Sequence, residues 1–547
     1  MREHISIIPA QYAMHAALCM SALFVLLLFG GILLCTYNPL SLDDGLRHFV
    51  MAKEQMRYGI GTVTWTQYFF SGYFVRHSID PWFLANLSYA PFTFFADSVA
   101  GIKAATFAFL CTLLFSLLIF FRHFRTSPFF AALTLLIFFL GSDTFGFRLM
   151  LGRPYVLISA LMLFVLYALI TRRWIMLSIF LAISALFSHL FIFPFGVGVV
   201  GSLWWFFVRR SKSDAFVSSI ATIGGTLTGM LLHPQSGEYF LWMKNIFFVV
   251  PFSKELDLGG EVYSGLGFTD VGVYLLLISC ILLCFLLASR GELSLAMRNR
   301  PEIILLGALT LLFFIAYLQW VRAIDLFWPI GTLLFLSLVS VSEEVERDAL
   351  RFFRSKIFPF RLSAMHIVFV LFLMTSVHHV WLFVGDDARR SPASFDAIES
   401  VPAGSTVFNV DWEFFSVLFF LRSDLLYARG MDPTHDDLSV RALIAKLSDR
   451  RFLSQEPMFS HAWFADLWSR IDWKELGIRR TQESEIDVDA WLAELRTIAD
   501  PAYLAMRRDT YPMLTESLKN RNDLTVFSES RAMIIFSLKD PVGSAVR

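Results

Sequence analysis

The sequence predicts a mostly α-helical, polytopic membrane protein of about eleven spans followed by a small C-terminal α/β domain, and three observations predict it. Of 547 residues, 56% are hydrophobic and 16% aromatic, with 59 Phe, more apolar surface than one soluble core can bury. The 46 basic and 46 acidic side chains cancel overall, yet residues 1–384 hold 26 and 20 of them (net +6) and residues 385–547 hold 20 and 26 (net −6). Charge is therefore concentrated at the C-terminal end. Finally, apolar runs of span length recur up to residue 384, and short strand- and helix-like runs replace them beyond it. An ordinary cytosolic enzyme is excluded, and neither part is basic enough for nucleic-acid binding.

Candidate spans fall at 14–36, 99–121, 128–146, 154–171, 174–189, 190–208, 215–233, 271–289, 302–320, 324–341 and 364–384, close to the ~20 residues that a bilayer requires. The stretch 174–208 divides near His189, Phe193 and Pro194 into two brief helices. The first run is too long for a cleavable signal, and no clear small-residue cleavage site follows it. Basic residues in the connections set the orientation. With the N-terminus cytoplasmic, the inner connections carry Arg122 and Arg125, Arg172 and Arg173, Arg209, Arg210 and Lys212, Arg290, Arg298 and Arg300, and then Arg347 through Arg361. The first outer loop, with Arg47, Lys53, Arg57 and Arg76, opposes this rule and is outvoted by the later connections. An odd span count then places the tail outside, together with outer loops 37–98 and 233–270. Cys19, Cys35, Cys111, Cys280 and Cys284 lie in or beside apolar stretches, so no disulfide framework is expected.

The division is a membrane domain over 1–384 and an extracytoplasmic α/β domain over 385–547. In the tail, GDDARRSPASFD reads as a linker, 405–410 as a strand, 411–421 as a helix and DLLYARG as a second strand. Helical stretches follow at 437–449, 488–499 and 509–519, and then the strands DLTVFSES and RAMIIFSL.

Ionisable residues inside a bilayer are costly, so their depth is informative. The centres of nearly all spans are uncharged. The exceptions cluster at outer ends: Asp97, Lys103, Asp143, Arg148, Arg153, His189, His233, Arg322 and Asp325. That pattern outlines a polar chamber at the outer surface rather than a path through the membrane. Directly after the first span comes Ser41-Leu42-Asp43-Asp44-Gly45-Leu46-Arg47-His48-Phe49, which places two adjacent carboxylates at the membrane lip. Partial desolvation and a like-charged neighbour both raise a carboxyl pKa and favour a base that works near neutral pH; a helix N-cap or a solvated turn is the alternative reading of the pair.

The same loop ends at His77-Ser78-Ile79-Asp80-Pro81-Trp82. Asp80 is either the cap of a helix begun by Pro81 or a second carboxylate for an acceptor hydroxyl or a divalent metal. His48, His77, His189, His233 and Glu261 are further acceptor or metal candidates, although their spacing has no metal signature. Arg153 and Arg322, assisted by Arg148 and Lys244, are candidates to hold a lipid-linked phosphate bidentately; headgroup binding or pairing with Asp143 and Asp325 is the alternative. No GxGxxG, Walker loop, HExxH or GxSxG occurs, so any reaction draws its energy from an activated substrate already in the membrane.

These residues resemble the GT-C superfamily of integral-membrane glycosyltransferases that use polyprenyl-phosphate-linked sugars. The resembling features are SLDDGLRHF after the first span, the returning HSIDPWF, the GRPYVL start of a span, the C-terminal outer domain, and the tail segment VFNVDWEFFSVLFFLRSDLLYARGMDP. The Lys-Pro-Pro version of the loop's return is absent. The resemblance implies a multi-pass protein of the bacterial inner membrane with a polyprenyl-phosphate-linked sugar donor and a glycan, lipid or protein acceptor. It further implies single displacement at the anomeric carbon with inversion, Asp44 or Asp43 as base and the lipid phosphate as leaving group. Two other classes compete. A flippase of lipid-linked sugars predicts mid-membrane polar residues and repeat symmetry, which are not seen; a non-catalytic assembly protein predicts that its outer carboxylates and arginines are dispensable.

Overall fold

In a computed structural model, the described residues are 7–35, 44–248, 270–289, 291–341, 392–411, 414–430, 439–440, 443–444, 447, 487–508 and 512–538. The expected span at 364–384 lies outside them, as does most of the helix expected at 437–449. The chain forms two compact units. One comprises 1–40, 51–62 and 80–388, and the other 41–50, 63–79 and 389–547.

The first unit is helical. Its long elements are α1 (Ile7–Cys35), the C-terminal part of α2 (Asp44–Tyr58), α3 (Ser98–Phe124), α4 (Pro128–Leu140), α5 (Asp143–Met150), α6 (Tyr155–Ile170), α7 (Trp174–Phe187), α8 (Ile192–Phe207), α9 (Lys212–Leu231), α10 (Ser236–Phe248), α11 (Val271–Ser289), α12 (Glu302–Gln319) and α13 (Ile324–Val341). A helix thus stands at ten of the eleven expected positions. Helices suit these apolar runs because every main-chain polar group is satisfied within the element.

Among the described residues, five helices are long and apolar enough to cross a membrane, or seven if the bent pairs α4–α5 and α9–α10 each count as one span. Only 22% of the apolar window of α11 is buried by protein, against 78% of that of α13. Leu275, Ile278, Ile281, Leu282 and Phe285 of α11 remain exposed, a surface that lipid rather than water covers. The chain is an integral membrane protein.

Close helix contacts follow small residues. A Cβ on Gly225 or Gly229 of α9 would collide with the backbone of Ser178 or Ala182 of α7, so this GxxxG spacing lets the two helices touch at main-chain distance. The α4–α5 pair bends by 76°. There Ser142 caps α5 by accepting from the Phe145 amide at 3.0 Å, and a Cβ on Gly272 would strike the Gly141 carbonyl.

The second unit contains a five-stranded sheet of order β2-β1-β3-β5-β4, with β1 (Thr406–Asn409), β2 (Leu426–Tyr427), β3 (Tyr503–Arg507), β4 (Thr525–Glu529) and β5 (Met533–Ser537). β2 and β3 run parallel to β1, and β5 is antiparallel to both β3 and β4. Helices α14 (Phe415–Leu421), α15 (Val488–Ile498) and α16 (Pro512–Lys519) complete it. Phe408, Leu504, Trp491, Leu495, Ile534 and Phe536 form its core. β3 is absent from the sequence expectation, yet it holds the middle of the sheet. Its YLAMR run is short and is followed by charge, so it carries little strand signal of its own.

The β2 edge is extended by residues of the first loop. Phe70 N donates to Tyr427 O at 3.1 Å, and Tyr427 N donates to Tyr68 O at 2.8 Å. Trp65, Tyr68 and Phe69 then pack on Phe415 and Phe419, with ring centroids 4.8 to 6.0 Å apart. Pairing and aromatic burial together remove an open sheet edge. The opposite edge, β4, carries Glu529, held by Arg508 at 2.7 Å and Lys519 at 3.3 Å.

Candidate active site

In the first unit, Arg148, Arg153, Tyr155, Ser159 and Asp325 line one recess. α5 supplies Arg148, which forks onto Asp325 of α13 through Nε–Oδ1 at 2.8 Å and Nη2–Oδ2 at 2.7 Å. Ser159 Oγ donates to the Asp325 carbonyl at 3.1 Å, so the acid is fixed at main chain and side chain. The Arg322 guanidinium lies 5.4 Å from the centroid of the Tyr155 ring. Arg148 and Arg153 therefore line the recess, and Arg322, just before α13, lies over Tyr155 of its wall. Lys244 is exposed on α10 and does not line this recess.

The turn before α6 explains the position of Arg153. Gly152 has φ +64°, its carbonyl accepts from the Tyr89 hydroxyl, and Pro154 precedes the first turn of α6. Asp270, which the sequence reading did not single out, fixes α5 from the other side. This buried carboxylate accepts from Ser142 Oγ at 2.5 Å, Thr144 N at 3.2 Å and Val273 N at 3.4 Å, joining the N-terminal ends of α5 and α11. Its only sequence cue is its position immediately before an apolar run.

Asp80 is fully buried in a knot of amides. Asn86 Nδ2 donates to Oδ1 at 2.7 Å and to Oδ2 at 2.8 Å, Gln55 Nε2 donates to Oδ2 at 2.7 Å, and Trp82 N donates to Oδ1 at 3.3 Å. His233 Nδ1 accepts from Gln235 N at 3.1 Å, so its Nε2 carries the proton and donates to the Asp80 carbonyl at 3.1 Å. His233 stacks on Tyr239 at 4.3 Å, and His189 meets Trp242 edge-on at 5.3 Å. Asp80, His189 and His233 are thus wrapped by amides and aromatic rings. Among the described residues, no three His, Cys, Asp or Glu side chains form a group that could hold a metal ion.

In the second unit, Asp44 opens α2 and accepts from Arg47 Nε at 3.0 Å, one turn on. Arg47 and His48 are buried, and His77 stacks on Tyr73 at 4.1 Å. The first turn of a helix suits a carboxylate. Asp43 and Glu261 lie outside the described residues.

Fold and site together define a polytopic helical integral membrane protein with a small sheet-containing C-terminal region. No protein-family model matches the chain, and no curated protein matches it in sequence. Solved structures do. ArnT from Cupriavidus metallidurans in the apo state aligns over 95% of this chain and 97% of its own, with a TM-score of 0.51 and 14% identity. ArnT from the same organism bound to undecaprenyl phosphate aligns over 96% and 98%, with a TM-score of 0.51 and 12% identity. At such identity the likeness is one of fold, and it extends over nearly the whole of both chains.

Proposed function

We propose that this protein is a glycosyltransferase of the bacterial inner membrane that moves a hexosyl or pentosyl group from a polyprenyl-phosphate-linked donor to an extracytoplasmic acceptor on a glycan, lipid or protein. The observation that carries the reading is a recess at helix ends lined by Arg148 and Arg153, with Arg322 over its Tyr155 ring. The likeness in fold to ArnT, solved with undecaprenyl phosphate, supports it.

The donor is a phosphodiester with one negative charge. As the bond from the anomeric carbon to the phosphate oxygen breaks, the phosphate keeps the electron pair and gains charge. Fixed guanidiniums beside it are then worth more in the transition state than in the ground state. The acceptor hydroxyl attacks the same carbon while a base takes its proton, and Asp44 is the residue we assign, with Asp43 as the neighbouring candidate. One displacement inverts the anomeric centre. The phosphate leaves without a dedicated general acid. Arg47 is assigned to orient Asp44 through its Nε.

The test uses the purified full-length protein, a radiolabelled polyprenyl-phosphate sugar and an envelope-lipid acceptor extract. Asp44→Asn is expected to lower kcat by about 10²-fold or more, and Arg153→Ala with Arg322→Ala to raise the donor KM. Full transfer by both Asp44→Asn and Asp43→Asn would remove the base. Passage of labelled lipid across proteoliposomes without a new glycosidic bond would replace the transferase reading with that of a flippase.

A further inference from the structure

Among the described residues, four that are not glycine have a positive φ: Arg125 (51°), Arg172 (58°), Arg210 (52°) and Asp500 (36°). The three arginines follow the C-terminal ends of α3, α6 and α8. At the first two ends, Thr126 N donates to Phe121 O at 3.1 Å and Arg173 N to Ala168 O at 2.8 Å, the six-to-one bond of a helix closed by a left-handed residue. Glycine or asparagine normally fills that position, because a Cβ there meets the following carbonyl oxygen. Three arginines in this conformation at one end of the membrane unit call for an explanation in the side chain rather than the backbone.

The surroundings supply one at Arg172 and place further arginines on rings beside it. The Arg172 guanidinium lies 4.6 Å and that of Arg209 5.5 Å from the centroid of the Trp205 ring. Arg173 lies 5.5 Å from the Tyr167 ring and Arg300 5.9 Å from that of Phe124. Trp205 is anchored through Nε1 to Leu169 O at 3.3 Å, and Trp204 to Pro301 O at 2.9 Å. Among the described residues, Asp214 pairs with Arg172 at 3.0 Å, and Glu302 interacts with Arg300 and Arg209. Arg122, Arg125, Arg172, Arg173, Arg209 and Arg210 are all exposed, beside the exposed apolar Phe206, Phe207 and Val208.

We propose that this end of the membrane unit is a binding surface for the phosphate groups of anionic phospholipids. Arg172 gives Nη2 to Asp214 yet stays 53% exposed, and the indole holds its guanidinium in place beforehand, so less rotamer freedom is lost when a phosphodiester binds. Exposed Phe and Val alongside occupy the acyl boundary of the same lipid, and tryptophan is favoured at that depth. The surface is separate from the recess at Arg148 and does not depend on the transferase reading.

A competing explanation is local: a cation past a helix C-terminus is favourable to the helix dipole whatever the lipid. The full-length protein and the triple variant Arg125→Gly, Arg172→Gly, Arg210→Gly would be compared by thermal unfolding in phosphatidylcholine nanodiscs with and without phosphatidylglycerol. Glycine suits the left-handed backbone, so the variant is expected to match or exceed the native chain in phosphatidylcholine alone. Phosphatidylglycerol is expected to raise the midpoint of the native protein and to lose most of that effect on the variant. Native mass spectrometry is expected to show correspondingly fewer phosphatidylglycerol molecules retained by the variant. An equal rise in both proteins overturns the proposal, as does an equal fall of the variant in both lipids. Reproduction of the whole shift by inorganic phosphate would make this a site for free phosphate and overturn the lipid assignment. Should the glycine variant fail to fold, Arg→Asn at the same three positions, which also tolerates a positive φ, carries the same comparison.

Discussion

α6 carries arginines at both ends, in opposite states. Before its first turn, Arg153 shares a recess with Arg148, which is 8% exposed and forked onto Asp325. After its last turn, Arg172 and Arg173 are exposed and lie over aromatic rings. The buried Arg148 guanidinium is held in one geometry by a forked carboxylate, whereas Arg172, though paired with Asp214 at 3.0 Å, is half exposed and keeps a hydrated edge. The first arrangement suits a charge that must be met at one place during a reaction, and the second suits headgroups that exchange.

Breaking the buried side is expected to have the largest effect. Asp325→Ala leaves Arg148 without its forked partner and should destabilise the protein by about 3 kcal/mol, seen as a lower unfolding midpoint in nanodiscs. Adding Arg148→Ala should recover part of that loss, because the two changes share one interaction. An additive double variant would show that the pair contributes nothing as a pair.

Next in size is Asp270→Ala, which removes the acceptor for Ser142, Thr144 and Val273. A loss of about 1–3 kcal/mol is expected, with faster hydrogen exchange at the Thr144 and Val273 amides. Unchanged exchange at both would show that water replaces the carboxylate there.

Single Arg→Gly changes at Arg125, Arg172 or Arg210 should stay within about 0.5 kcal/mol in phosphatidylcholine. A larger loss would place these arginines in the same category as Arg148.

The smallest effect is expected at an ion pair of the sheet-containing unit. Arg422 holds Asp424 at 2.7 Å and lowers its pKa below the usual carboxylate range. A depressed folded-state pKa contributes stability above the unfolded-state value and loses it as pH falls through the folded one. Stability should therefore decline in acid with a small component that Asp424→Asn abolishes. Because Asp424 is about half exposed, added salt should shrink that component, whereas the Arg148–Asp325 pair should respond far less.

Helix positions were legible because each span is a long apolar run, and ten of the expected segments coincide with helices. Strands β4 and β5 were legible from their β-branched and aromatic runs, while the short run of β3 was not. The recess was readable in part. Arg148, Arg153 and Arg322 stand beside a break or a proline, but nothing in their spacing says that Arg148 rather than Arg322 takes Asp325. Asp270 and Gln55 were missed because their partners lie up to 128 residues away.

The sequence by itself determined a membrane-embedded helical chain with charge confined to its ends and a charged C-terminal domain. Those properties follow from hydropathy and local hydrogen bonding, which act within a few turns of chain. The tertiary structure alone decided which polar ends meet, that residues 68–70 extend the edge of the C-terminal sheet, and that Asp80 is enclosed by amides. Such outcomes depend on pairing between distant segments, where packing selects one partner among several that the sequence leaves equivalent.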